Sequence, residues 1–400
     1  MLKNFLVILV ALVCGIVLCD ALFRAYEHLY LTASYRPNGP EVDLQSFNYN
    51  DAKVAKKKPA NEFRLLGFGD SFCYAIVKYP FSYHGVARDI LAKAFPDRDF
   101  RLVNFGEPSS SFYQYLKSMA NWTGQVEADA VVVNVFLGND ITDVALGDVP
   151  DDTDINRIFG TNFVDVQTGR KRLSAVPHKF WLRMLDYAYA LAVAWREGYY
   201  VLRDIPEPYT FALGPLGEED FFRTMRRQAL AGQPDSCQKL ARGWQALADL
   251  ARGLSQIGRE RGLRVAIMLS PGEIMVDPAL WRKTAARYGL DPDSFDPERP
   301  DRLARRILAK VAPDVPVLDL TPAFRCAAAR GQREYYPSET HWNVDGNRLA
   351  GQALARFVAG NWLNGTSPTP ADGDTCLDAP DAAPKSDPDA NDSCLSAIVK

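Results

Sequence analysis

From Phe63 onward, short apolar runs alternate with longer stretches of helical period. Phe63 to Phe68, Leu102 to Phe105, Ala130 to Leu137, Leu263 to Leu269 and Val315 to Leu320 are continuous enough in their apolar character to predict strands buried on both faces. Between them the clearest helix carries Leu240, Trp244, Leu247, Leu250, Leu254 and Ile257 on one side, at spacings of three and four. A second amphipathic helix is expected from Asn347 to Leu363. Strands alternating with helices in this way predict an α/β fold with a parallel sheet covered on both sides.

Three pieces fall outside that alternation. The chain begins with Lys3 and then carries no charge from Phe5 to Cys19, with Asp20 followed by Ala21, Leu22 and Phe23. That stretch is long enough for a short membrane span. No small-x-small cleavage site follows it, and neither Cys14 (after Val13) nor Cys19 (after Leu18) stands behind the small residue of a lipoprotein signal, so residues 1–24 are expected to be an uncleaved signal anchor, a transmembrane helix. Residues 25–62, polar and interrupted by prolines, read as a stalk leading to a domain over 63–363. Within that domain, residues 141–235 are expected to be an insertion. It holds an Asp-rich loop (GDVPDDTDIN) and a helix-prone run (HKFWLRMLDYAYALAVAWREGYY) that Pro206 and Pro208 break. The run fits packing against the core, a lid, or a helix lying on a membrane surface; Arg183 and Asp186 argue against a second span. The tail, 364–400, is rich in Pro, Asp, Ala and Ser and is expected to be disordered.

Composition narrows the classes open to this chain. Its 400 residues are 47% hydrophobic and 24% charged, with a formal net charge of −3, and its basic residues are scattered apart from short runs such as Lys56 to Lys58, so nucleic acid is not an expected partner. Seven cysteines show no CxxC spacing, and no HExxH or Cys/His cluster appears; neither a metal nor another cofactor is implied. In an exported chain Cys237, Cys326, Cys376 and Cys394 could form two bridges, with Cys376 to Cys394 the natural local loop, while Cys73 and Cys237 also read as free buried thiols. The sequon Asn121-Trp122-Thr123 is read as an accidental match.

The chemistry-bearing residues sit where the predicted strands end. Gly67-Phe68-Gly69-Asp70-Ser71-Phe72 closes the first strand, and its glycines permit a tight turn that would hold Ser71 at the carboxyl edge of the sheet. Phe72 stands where a dinucleotide fingerprint would need glycine, and a phosphate-loop lysine is missing. A serine hydroxyl needs an imidazole base and donors for the developing oxyanion. Of four histidines, His28 lies beside the anchor and His84 and His178 fall in expected helices without acidic neighbours. His341, in Tyr336-Pro337-Ser338-Glu339-Thr340-His341-Trp342-Asn343, lies on a loop between a strand and a helix, on the same rim as Ser71. Gly106, after the second strand, would offer a backbone N–H, and Asn139 of Gly138-Asn139-Asp140, after the third, a side-chain amide. Taken singly, Gly106 is a turn residue and Asn139 a helix cap.

In this order the four stretches resemble the SGNH/GDSL hydrolase superfamily, over about residues 63 to 363. The resemblance implies a flavodoxin-like three-layer sandwich with a parallel five-stranded sheet. It also implies roles: Ser71 as nucleophile, His341 as general base and then acid, and Ser71, Gly106 and Asn139 as the oxyanion hole, with Asp70, Asp140, Trp342 and Asn343 supporting the motifs. Most members place aspartate three residues before the histidine, where this chain has Ser338; the nearby carboxylate is Glu339. Glu339-Thr340-His341-Trp342-Asn343 resembles the D-x-H-W block of the alginate O-acetyltransferase-like branch, in which the acid–histidine block precedes the serine instead of following it. A glutamate, one methylene longer, could still orient the imidazole.

The function expected from the resemblance is ester hydrolysis or O-acyl transfer on acylated, chiefly O-acetylated, groups of an envelope or exported polysaccharide, with small esters as simple substrates. The setting expected is a bacterial inner membrane, with the domain in the periplasm. A transferase would need a multi-span membrane partner to supply acyl groups, because one span cannot carry them across. The rival expectations are a lipid esterase or thioesterase, with the aromatic run between Phe180 and Trp195 as acyl-binding lid, and an inactive assembly module of polysaccharide export.

Overall fold

The computed structural model describes residues 2–26, 41–43, 53–108, 110–147, 216–363 and 375–378, with short pieces between 164 and 188 and Ile398. The first helix, α1, spans Leu2–Tyr26. Lys3–Ala25 is the one helix among the described residues long and apolar enough to cross a membrane, with mean hydropathy 2.9. Most of the stalk, nearly all of the aromatic run and of the tail, and His28 and His178, lie outside the described residues.

Five strands form the central sheet: β1 Glu62–Gly69, β2 Asp99–Gly106, β3 Ala130–Phe136, β4 Arg264–Ser270 and β5 Val317–Asp319. Their order is β2-β1-β3-β4-β5 and every pairing is parallel. This is the flavodoxin-like order, in which the connection reverses direction between β1 and β3 and opens a crevice at the strands' carboxyl ends. All five strands overlap the apolar runs of the sequence.

Helices cover both faces, as continuous burial along β1 and β3 requires. Side chains alternate along each strand. Leu66 and Phe68 of β1, with Val131, Val133 and Val135 of β3, join one cluster. It is closed by α4 (Phe112–Trp122), α5 (Asp140–Leu146), α7 (Cys237–Arg261), α9 (Pro278–Tyr288) and α10 (Arg299–Val311). Phe63 and Leu65, with Ala130 and Val132, face the other, closed by α3 (Tyr83–Ala94), α11 (Thr321–Ala329) and α12 (Val344–Trp362). The period read from Leu240 to Ile257 is the buried face of α7, with Trp244 fully enclosed. Each such apolar side chain contributes roughly 1.5–3 kcal/mol on burial. Local chemistry sets the helix ends: Asn343 caps α12 by accepting the Gly346 N–H at 3.0 Å, and Gly262 ends α7 at φ +65°.

Two further helices matter for the site: α6, Glu218–Gln228, and the single turn α8, Glu273–Val276. Helix α5 occupies the first residues of the segment read as an insertion and packs on α7, where Gly243 lies against the Ile141 carbonyl. The cysteine pairing differs from the expected local loop. Cys326 of α11 is bonded to Cys376, fifty residues on, and Cys237 is disulfide-bonded too and not a free thiol. The sequence-local loop from Cys376 to Cys394 loses because the short turn at Thr375–Asp378 returns to α11. Cys73 is free and buried.

Candidate active site

Ser71 opens a one-turn helix, α2 (Ser71–Tyr74), directly after β1. Gly69 makes the turn possible: it sits at φ +155°, and a Cβ there would lie 2.7 Å from both the Asn134 carbonyl oxygen and Cys73 Cβ. Asp70 caps the turn by accepting the Phe72 N–H at 2.8 Å. As the first residue of α2, Ser71 has a backbone N–H with no acceptor within its own helix.

The histidine loop reaches the same point from the far end of the chain. It is closed by a bridge between Tyr335 and Trp342, by the Tyr336 N–H on the His341 carbonyl at 2.9 Å, and by the Asn343 N–H on the Glu334 carbonyl at 2.9 Å. Ser338, at the tip, is exposed and takes φ +55°, which turns the following residue inward. Glu339 is therefore buried, with 4% of its surface exposed. Its Oε1 and Oε2 both lie 2.9 Å from His341 Nδ1, and Oε2 also accepts the His341 N–H at 2.8 Å. His341 Nε2 lies 2.6 Å from Ser71 Oγ. Trp342 and Phe72 hold the imidazole in place: Phe72 stacks on the His341 ring at 5.0 Å, and Trp342 meets Phe72 edge-on at 5.1 Å.

The electrostatics follow from burial and pairing. Burial opposes charge on both partners, yet the carboxylate and its hydrogen bond outweigh it at His341 and hold the imidazole above its ordinary value. In the same way burial would raise Glu339, but the charge and hydrogen bonds of His341 bring its carboxyl below the usual range. Asp70, enclosed beneath Ser71, is pushed up to about 7 by burial, against the pull of the Phe72 N–H and of His341. Asp140 is also raised by burial and by Asp70; it accepts from Tyr115 Oη at 2.8 Å and from the Phe136 N–H at 3.0 Å, which fixes the start of α5. His84 fills the space over Gly67 in the second core cluster and is driven down to about 3 by burial alone.

The oxyanion donors read from the sequence divide. Asn139 precedes α5, and its side chain makes no capping hydrogen bond; its Oδ1 is enclosed without a partner. The Gly106 N–H, by contrast, is taken by Asn104 Oδ1 at 2.8 Å, while Asn104 Nδ2 donates to the Tyr74 carbonyl at 3.0 Å. Gly106 has a packing reason for being glycine, since a Cβ there would overlap the backbone of Cys73 and Tyr74. Asn104 therefore ties the end of β2 to α2, a function the sequence reading did not assign. Another residue it passed over is Gln228, which shares the buried face of α6 with Phe221 and Met225. The signal was available: a glutamine on the i, i+4, i+7 stripe of an otherwise apolar face.

A five-stranded sheet of flavodoxin-like order thus carries the serine, the asparagine and the acid–histidine loop at its carboxyl edge. Part of the chain is similar to the family described as SGNH hydrolase-like domain, acetyltransferase AlgX, whose model matches residues 221–377 and so takes in Glu339 and His341 but not Ser71. No curated protein matches the sequence. Among solved structures, the chain is similar to a two-domain esterase active on acetylated mannans, co-crystallised with mannopentaose, at 12% identity and TM-score 0.34, over 75% of this chain and 50% of that one. This chain thus spans about half the length of that esterase. It is also similar to an acetyl xylan esterase, at 12% identity and TM-score 0.35, over 73% and 98% of the two chains. A lipase/acylhydrolase from Enterococcus faecalis matches at 15% identity and TM-score 0.33, over 74% and 96%.

Proposed function

We propose that this chain is a serine-dependent ester hydrolase or O-acyltransferase that works through a seryl acyl-enzyme on O-acetyl groups of an envelope or exported polysaccharide. The observation that carries the reading is the relay from Ser71 Oγ to His341 Nε2 at 2.6 Å and from His341 Nδ1 to Glu339 at 2.9 Å. Ser71 Oγ attacks the ester carbonyl carbon and its proton passes to His341 Nε2. Charge gathers on the former carbonyl oxygen, where the Ser71 N–H and the uncommitted Asn139 amide are the available donors; the Gly106 N–H serves only if Asn104 releases it. As the tetrahedral adduct collapses, the C–O bond to the alcohol breaks and Nε2 returns the proton to that oxygen. Water, or a second sugar hydroxyl, then gives its proton to His341 Nε2 and attacks the acyl carbon; as the bond to Ser71 Oγ breaks, Nε2 returns that proton to the serine oxygen. Glu339 keeps Nδ1 protonated throughout and offsets the imidazolium charge.

The acetyl group as cargo is supported by the acetyltransferase description of the matching family and by the resemblance of Glu339-Thr340-His341-Trp342 to the D-x-H-W block. The apolar helix Lys3–Ala25 supports a signal anchor at the inner membrane, with the domain over 63–363 in the periplasm and the stalk between them. The Cys326–Cys376 bond fits an oxidising compartment. Labelling with a serine-directed fluorophosphonate tests the reading: the unaltered chain is expected to be labelled at Ser71 and the Ser71→Ala variant not. No labelling of the unaltered chain at neutral pH overturns it. Release of acetate from an acetylated saccharide, with and without a sugar acceptor, then separates hydrolysis from transfer.

A further inference from the structure

Beside the relay lies a group of polar atoms that the mechanism does not use. Gln228, at the end of α6, is 4% exposed, and its Oε1 has no hydrogen-bond partner. Its amide sits between two glycines at the ends of neighbouring strands. A Cβ at Gly272, after β4, would lie 2.8 Å from Gln228 Oε1, and one at Gly138, after β3, 3.1 Å from Gln228 Cδ. Gly138 adjoins Asn139, whose Oδ1 is likewise enclosed and unpaired. Gly272 adjoins Glu273, the first residue of α8, whose Oε2 is enclosed and unpaired as well and whose carboxyl feels the charge of Glu339. The group connects to the reacting atoms through rings: Gly138 abuts Phe136, which stacks on Phe72 at 3.7 Å, and Phe72 stacks on His341.

Three unpaired oxygens at adjacent strand ends are costly, because a buried acceptor without a donor loses its hydration for nothing in return. Burial pushes the Glu273 carboxyl up to about 8, so it is largely neutral at pH 7 and able to donate as well as accept. The missing partners must bring donors. An acyl group has none and an alkyl chain has none; neighbouring hydroxyls on a sugar ring have several.

We infer that Gln228 and Glu273, next to the Asn139 oxyanion donor, form a subsite that binds the hydroxyl groups of the saccharide carrying the ester. This rests on the seryl-esterase reading above and adds the alcohol side of the substrate. Binding of an O-acetylated xylo-oligosaccharide to the full-length Ser71→Ala protein in detergent, measured by calorimetry, tests it without turnover. Gln228→Leu and Glu273→Leu are each expected to weaken that binding about tenfold, whereas Glu273→Gln, which keeps the hydrogen-bonding capacity, stays within about threefold of the parent. Gln228→Leu is also expected to leave the unfolding midpoint unchanged or higher, since it removes an unpaired buried amide; a purely structural glutamine would lower it. Undiminished binding in both leucine variants overturns the subsite, as does no binding of the saccharide to the Ser71→Ala protein at millimolar concentration. If Gln228→Leu does not fold, the two Glu273 variants decide. Failure of the seryl reading shows separately, as absence of fluorophosphonate labelling in the unaltered chain.

Discussion

Glu339 grips His341 at two places at once: its carboxylate lies 2.9 Å from Nδ1, and the same group accepts the His341 backbone N–H at 2.8 Å. With only Thr340 between them, the side chain must fold back on its own loop, and the glutamate's extra methylene gives it the reach to meet both donors. Glu339→Gln would present an amide that can donate toward Nδ1 and stabilise the wrong tautomer, so kcat on a small acetyl ester is expected to fall by about 10²–10⁴-fold. Glu339→Asp keeps the charge but shortens the arm, and a loss of roughly 10²-fold is expected from displacement on the order of 1 Å. Steady-state kinetics on the purified variants check both; an unchanged rate in Glu339→Gln would remove that residue from the mechanism.

In the proposed mechanism the base form of His341 is the active one, so kcat/KM should rise with pH through an apparent value above the ordinary 6.5 of histidine. The same pair sets a stability window. The contribution of His341 is full below 6.5 and is lost as pH rises through its higher folded value, whereas that of Glu339 is present above 4.5 and is lost as pH falls through its lower folded value. Urea unfolding of the unaltered protein and of Glu339→Gln should therefore differ most near pH 6 and converge toward pH 9.

Gly106 stands against the backbone of the turn that carries Ser71. Gly106→Ala must push α2 aside or strain β2, with a cost of about 1–3 kcal/mol. Displacement of the serine should also cut acetyl-ester hydrolysis by roughly 10²-fold. Thermal unfolding and kinetics on one preparation would show both effects, and an alanine accepted without loss of rate would contradict the close approach.

The bond between Cys326 and Cys376 closes a loop of fifty residues that contains the whole histidine segment. Cys376→Ser is expected to lower stability by about 2–4 kcal/mol, because the unfolded chain regains the freedom the crosslink removed. Peptide mapping without reduction should recover the two cysteines together, and denaturant titration should show the loss.

Much of this was readable before any coordinates. Strands buried on both faces leave uninterrupted apolar runs, and Leu240 to Ile257 keep helical spacing, because burial imposes its period directly on residue type. The sequence order of Ser71, Gly106, Asn139 and His341 was equally plain. Relationships that depend on where distant segments meet were not. Nothing near Cys376 announces that its partner lies on α11, and no local pattern says that Asn104 occupies the Gly106 N–H. Gln228 stood on an apolar stripe, but that it reaches between two strand ends follows only from the tertiary packing of α6.

Because Glu339 and His341 are bound to each other within a single tight loop, they behave as one prefabricated part. From the remainder of the chain such a part needs little more than the ring of Phe72 against its imidazole and delivery of Nε2 to a waiting hydroxyl. The linear order of the two halves is then free to change: a loop hung before the serine or 270 positions after it, as here, presents the same chemistry. That independence accounts in physical terms for how an acid–histidine block can lie on either side of the serine among proteins that resemble one another.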